Sequence, residues 1–266
     1  MSRHCLSVIT TCAADRTEHL ADTAASVARA QIRLAQYGWR LTWLFTLSGT
    51  CDTPPDIHPD IYLAAPRVAG IAAGRNRALV HLADGWVYPL DADDLLDADG
   101  LAALVCDPRL EDQTIGWIGT SRTLLDGSSI PYTFQDEQYW PRWSFGDSWP
   151  YPSPFHANSL LVRSDLLLQL GGWPAMTSHE DLGLLFDVAD AADGLALPYP
   201  VTRFRTWSGQ ASRDLGHDAL REESLTLIAA VANARRRAAG RTAGVDVPNA
   251  IARDALGFPI QVGSVH

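Results

Sequence analysis

Trp86-Val87-Tyr88-Pro89-Leu90-Asp91-Ala92-Asp93-Asp94 passes from apolar to acidic in one residue step. The apolar part reads as a short buried strand. If the chain stays extended through the acids, alternate side chains share a side, and Asp91 and Asp93 project together from the strand end. Such a pair is a pincer for a hard cation. Magnesium or manganese held by one or two carboxylates completes its shell with water and phosphate oxygens, so a diphosphate-bearing substrate is the natural occupant. The competing reading is helix entry, for which Asp97 is a good N-cap and Asp99 suits a first turn. Capping accounts for Asp97 and Asp99. It accounts poorly for Asp91 and Asp93, which precede the helix and sit where a parallel sheet places its ligands.

Working outward, Cys5–Thr11 is β-rich and leads into a helical pattern from about Glu18 to Gln36. Further strands are expected at Arg40–Thr46 and Ile61–Ala64, and an Ala-rich helix at about Ile71–Leu82 returns to the strand that feeds the acids. Alternation of this kind means βαβ units: an α/β fold with a mostly parallel central sheet flanked by helices. In the second half, Ile115–Thr120 and His156–Val162 read as strands. Helices are expected at Ser164–Leu170, Ser178–Ala192 and Leu215–Ala239. Between the two strands lies a segment rich in Trp, Tyr and Pro, from Pro131 to Phe155, too aromatic for disorder.

The 266 residues show no linker, low-complexity tract or repeat, and a single domain is expected: residues 1–105 as a half of nucleotide-binding architecture, 106–214 as a less regular second half, and 215–266 as a helix and tail. A formal charge of −10 argues against nucleic acid or an anionic membrane as partner. Lysine is absent, which leaves arginines and metal ions to hold phosphate. Cys5, Cys12, Cys51 and Cys106 lack the spacing of a zinc site or a disulfide scaffold. With no long apolar window and no signal-type h-region, a cytoplasmic protein without a membrane span is expected.

Three further constellations allow two readings each. In Gly70-Ile-Ala-Ala-Gly74-Arg75-Asn76-Arg77, small residues let a ligand approach the backbone and an arginine can grip a diphosphate, or the helix is plainly amphipathic with its arginines in solvent. Ser178-His179-Glu180-Asp181 is a capping box by spacing, or it carries a carboxylate kept ionised at a helix N-terminus as a general base requires. Arg203-Phe204-Arg205-Thr206-Trp207 closes over a bound diphosphate as a lid, or is solvated surface. Trp140, Trp143, Trp149, Trp173, Tyr139 and Tyr151 supply rings for sugar stacking or for the core.

In this order the pieces resemble an inverting glycosyltransferase of the GT-A fold, similar to glycosyltransferase family 2. The resemblance rests on Arg75-Asn76, Asp91-Ala92-Asp93-Asp94, Gly171-Gly172-Trp173, Glu180-Asp181 and the Arg203/Arg205 loop, and covers roughly residues 5–213. It implies a nucleotide-sugar donor, by default a UDP-sugar. Its diphosphate would be bridged by manganese or magnesium on Asp93, with Asp91 at the metal or ribose and Arg75 and Asn76 near the nucleotide. Arg203 and Arg205 would close over it, and Asp181 would be the base that activates a soluble acceptor. Oligomeric state is open.

The chain departs from that family in three places. Thr10-Thr11-Cys12-Ala13 follows the first strand where the family has Pro-Thr-x-Asn. Leu47-Ser48 stand where acids often read the base, and Arg205-Thr206-Trp207 replaces Arg-x-His, leaving the metal to Asp93 and phosphate or to His217. Two other readings compete: a nucleotide-sugar-binding protein without turnover, and a sugar-1-phosphate nucleotidyltransferase. The latter would need a Gly-rich loop with Arg and Lys after the first strand, and that loop is missing.

Overall fold

The computed structural model describes residues 4–50, 55–65, 70–147, 153–208, 210, 217–242 and 244–245. In chain order the elements are β1 (Cys5–Ala13), α1 (Leu20–Ala35), β2 (Arg40–Ser48), β3 (Ile61–Ala65), α2 (Gly70–Arg77), β4 (Trp86–Pro89), β5 (Leu95–Leu96) and α3 (Ala98–Val105). The second half adds β6 (Ile115–Leu124), β7 (Gln138–Trp140), α4 (Ser144–Asp147), β8 (Leu160–Arg163), α5 (Ser164–Gln169), α6 (Glu180–Ala191), β9 (Asp193–Phe204) and α7 (His217–Ala238).

One sheet runs β3-β2-β1-β4-β8-β6-β9-β5, with β7 also on β9. Its β3-β2-β1-β4 side is parallel throughout, and β6 lies parallel to β9, while β8 is antiparallel to both β4 and β6. Two apolar layers enclose the sheet. One joins Leu6, Val8, Phe45, Tyr88 and Leu197 to α1 and α3; the other joins Ile9, Val87, Trp117 and Val162 to Phe145, Phe186 and α7. The predicted alternation of strand and helix follows from this two-sided cover.

Differences from the expected elements have local causes. The helix expected to reach Leu82 ends at Arg77, because Ala78 N–H bonds Arg75 O at 3.0 Å and the chain tightens into a 3₁₀ turn over Leu79–His81. The strand expected from His156 starts only at Leu160, because His156–Ser159 close a turn through Ser159 N–H to His156 O at 2.8 Å. Pro198 and Pro200 disguise β9; opposite Pro200 the β6 register shifts on either side of Ser121, and that irregularity admits the proline. From the aromatic segment, Phe145 and Phe155 pack edge-on or tilted against each other and against Trp117 in the core, and Phe145 also meets Phe186. Trp149 and Tyr151 lie outside the described residues.

Candidate active site

β4 ends at Pro89, and the acids that follow do not continue as a strand. Asp94 N–H returns to Asp91 O at 3.2 Å, so residues 91–94 form a turn. Strand alternation therefore is not what relates Asp91 to Asp93; the turn is, and it leaves them close enough for each charge to oppose the other. Helix α1 fixes this turn from below. The hydroxyl of Thr23 lies 2.8 Å from Ala92 O and 2.9 Å from Asp94 O, and Ser26 Oγ accepts Leu96 N–H at 3.0 Å. Asp97 caps α3 as expected, accepting from Asp99 and Gly100 N–H.

Arg75 is the hub. Its side chain is only 3% exposed, and its guanidinium donates to Glu180 Oε1 at 2.8 Å, Asp91 Oδ1 at 3.0 Å and Asn158 Oδ1 at 2.9 Å, with the Trp173 ring 5.6 Å from its carbon. Asn158 closes the circle by donating to Asp91 Oδ2 at 2.7 Å. Arg75, expected near the nucleotide, gives three of its donors to the protein's own groups. Asn76 faces the neighbouring loop. Its amide donates to Trp173 O and accepts Trp173 N–H, both at 2.8 Å, which pins the Gly171-Gly172-Trp173 loop to α2. Gly74 serves packing and not a ligand, since a Cβ there would stand 2.3 Å from Thr11 Cγ2 on β1.

Asp93 Oδ2 accepts the indole N–H of Trp207 at 2.7 Å, and Asp93 O accepts Arg205 Nε–H at 2.9 Å. Burial, then repulsion from Asp91, pushes the Asp93 carboxyl above its usual range. Arg205 also pairs with Asp22 at 2.8 Å, and its backbone N–H donates to Asp94 Oδ1 at 3.0 Å. Asp94 is fully buried, ion-paired with Arg122 at 2.5 Å, and raised by burial against the pull of that arginine. Arg203 does not join the cluster. It pairs with Asp97 at 2.7 Å, at the α3 cap.

Asp181 lies in the first turn of α6, and its side chain is 18% exposed. The capping box is not formed. The cap position is His179, at φ 59° and without a side-chain cap bond, while Ser178 Oγ turns to His179 Nδ1 and Ser224 Oγ, and Asp181 Oδ1 accepts Leu182 N–H at 2.8 Å. Burial, then the neighbouring Glu180 and Asp91 charges, pushes Asp181 up to about 7 against the opposing Arg75. His156 Nδ1 stands 3.9 Å from Asp181 Oδ2 and accepts Asn158 N–H at 3.1 Å. Asp91 thus acts electrically on both Asp93 and Asp181 and ties the two acidic stretches into one cluster.

The structure is similar to the crystal structure of S. aureus TarS 1-349 in complex with UDP-GlcNAc, with a TM-score of 0.62 at 14% identity over 85% of this chain and 65% of that one. It is also similar to the mannosyltransferase PcManGT from Pyrobaculum calidifontis in complex with GDP-Man and Mn2+, with a TM-score of 0.55 at 19% identity over 89% and 76% of the two chains. The fold is GT-A. The chain spans a little under two thirds of TarS 1-349 and 39% of the longer TarS structure. No family model and no curated protein matches the sequence. No helix among the described residues is long and apolar enough to cross a membrane.

Within this GT-A frame a divalent cation suits the acids. The described residues contain no group of three or more His, Cys, Asp or Glu arranged to hold a metal by themselves. Magnesium and manganese seldom need one, since substrate phosphates supply much of their shell. Arg75 pairs with Asp91 and Glu180 and opposes the rise of Asp181, while the charge that acts on Asp93 is Arg122, already ion-paired with Asp94; two buried guanidinium groups thus face five acids, and the cluster is short of positive charge. The side chain of His217 lies outside the described residues. Sequence reading missed Asn158, which no motif marks, and the Asp94–Arg122 pair, whose partners are 28 residues apart.

Proposed function

We propose that this chain is a metal-dependent, inverting glycosyltransferase that moves a sugar from a nucleoside-diphosphate donor, by default a UDP-sugar, to a soluble acceptor. The observation that carries the reading is Asp181: a partly exposed carboxylate raised to about 7 and coupled through Asp91 to the acid turn of a GT-A sheet. A base with its pKa near the working pH combines useful ionisation with useful proton affinity. Asp181 takes the proton of an acceptor hydroxyl as that oxygen bonds to the anomeric carbon. The bond from that carbon to the phosphate oxygen breaks on the opposite face, and the configuration inverts. Asp93, with Asp91 beside it, would hold a cation that neutralises charge on the departing diphosphate. Arg75 and Asn158 orient Asp91 and hold Glu180 next to the base.

The engagement of Arg75, Arg203 and Arg205 with internal acids favours a second reading, a nucleotide-sugar-binding protein without turnover. Calorimetry and a transfer assay separate the two. Nucleoside diphosphates are expected to bind more tightly with manganese, and Asp181→Asn to keep that binding while losing at least about 100-fold in transfer, the scale of a general base. Undiminished transfer would remove Asp181 from the role. Metal-insensitive binding would count against the cation.

A further inference from the structure

The indole of Trp207 holds the same carboxylate to which the cation is assigned. Its N–H meets Asp93 Oδ2 at 2.7 Å, a charge-assisted hydrogen bond when the acid is ionised. The ring is half-buried, and His19, at the start of α1, packs edge-on to it at 4.7 Å between centroids. Around it the chain is stapled by four hydrogen bonds. Arg205 reaches Asp22 on α1 and Asp93 O, Gln210 donates to Arg205 O at 2.6 Å, and Arg205 N–H holds Asp94. An indole offers only a donor, which takes one lone pair of Oδ2, and a metal ion that ligates through the same oxygen meets the positive end of the N–H dipole. Indole and cation therefore compete for Asp93 Oδ2.

We infer that Trp207 is a latch that covers Asp93 in the ion-free protein and lets go when a divalent cation binds, so that cation entry and release of the Trp207 indole are one event. The inference rests on the assignment of a cation to Asp93. Among the described residues no other side chain is hydrogen-bonded to the Asp93 carboxylate: Arg205 holds the backbone of the turn, and Arg75 holds Asp91. The donor side of the latch is specific to tryptophan, because phenylalanine keeps the ring against His19 and loses only the N–H.

The test uses the full chain with ¹⁵N-labelled indoles, titrated with Mg2+ alone, the Trp207 signal being assigned from Trp207→Phe. The indole proton is expected downfield without Mg2+, moving upfield as Mg2+ saturates, with no movement in Asp93→Asn. By calorimetry, Trp207→Phe is expected to bind Mg2+ about tenfold more tightly, the equivalent of one hydrogen bond to a charged group. Mg2+ binding with an unmoved Trp207 signal, or weaker binding in Trp207→Phe, would overturn the latch and leave the cation on Asp93. Absence of Mg2+ binding in both proteins would overturn the cation assignment and the latch with it. The wild-type titration stands even if the substituted chain folds poorly, because the Asp93→Asn spectrum also identifies the signal.

Discussion

Asp181 carries two opposite consequences of one elevated pKa. In the base role proposed for it, Asp181 works only when ionised, so kcat/KM is expected to fall with unit slope as pH drops through about 7. For stability the sign reverses. The native carboxyl holds its proton up to about 7 while the unfolded one loses it near 3.8, so the native state binds more protons across that window and stability declines as pH rises through it. Asp181→Asn removes the penalty. At pH 8 it is expected to add on the order of 2 kcal/mol, about 5 °C in Tm, and the gain should vanish near pH 4. Thermal melts of both proteins at pH 4, 6 and 8 check this, and a gain that does not depend on pH would sink it. The acids themselves were legible in the sequence because carboxylates after an apolar run have few structural uses. Their partners were not. That Arg75 would face inward to Glu180 and Asp91, or that Asn158 would bridge them, depends on side chains converging from α2, the β8 approach and α6, and no local spacing encodes it.

At the scale of elements, the joint between α2 and the Gly171–Trp173 loop is the most exacting contact. Gly172 sits at φ 87°, and a Cβ there would stand 2.3 Å from Asn76 Oδ1 and 2.6 Å from Leu79 Cδ1. Gly172→Ala is expected to cost about 1–2 kcal/mol from the left-handed backbone and roughly 1–3 kcal/mol more from breaking the Asn76 clamp. Asn76→Ala should cost a similar amount for the clamp alone. In the double variant the clamp is lost only once, so the two effects should fall short of their sum. Denaturant melts measure all three, and strict additivity would mean that the glycine and the amide do not act on each other. The Gly-Gly-Trp motif was readable as a motif, but its job as a socket for Asn76 was not. The first three strands lie close to where composition put them, whereas β8 starts four residues late at Leu160 and β9 carries two prolines that a register shift accommodates.

Across the whole molecule, α7 is fastened to α4 and α6 by a buried charge. Arg236 is fully buried and donates to Asp147, to Asp190 at 2.9 Å and to Trp143 O at 2.8 Å, with Arg235 on Asp187 at 2.6 Å alongside. Arg236→Met leaves Asp190 buried without its main partner, and is expected to cost about 3–5 kcal/mol. Since burial already raises Asp190, part of the loss should be recovered as pH falls toward 5 and the acid is neutralised. Urea melts at pH 5 and 8 test this, and an equal loss at both would place the effect in packing and not in charge. That α7 is a helix was plain from its pattern; which acids would receive its arginines was not, since Asp147 and Asp190 lie 89 and 46 residues away.

The hub at Arg75 also sets the order in which this protein can come into being. Its first partner, Asp91, leaves the ribosome 16 residues later, but Glu180 follows only 105 residues after the arginine, and Asn158 trails Asp91 by 67. Until then a guanidinium and a carboxylate have only one of the four bonds of the hub within reach. A polypeptide released early would carry every acid of the turn and still lack the partners that aim them, so the assembled cluster arrives late in synthesis.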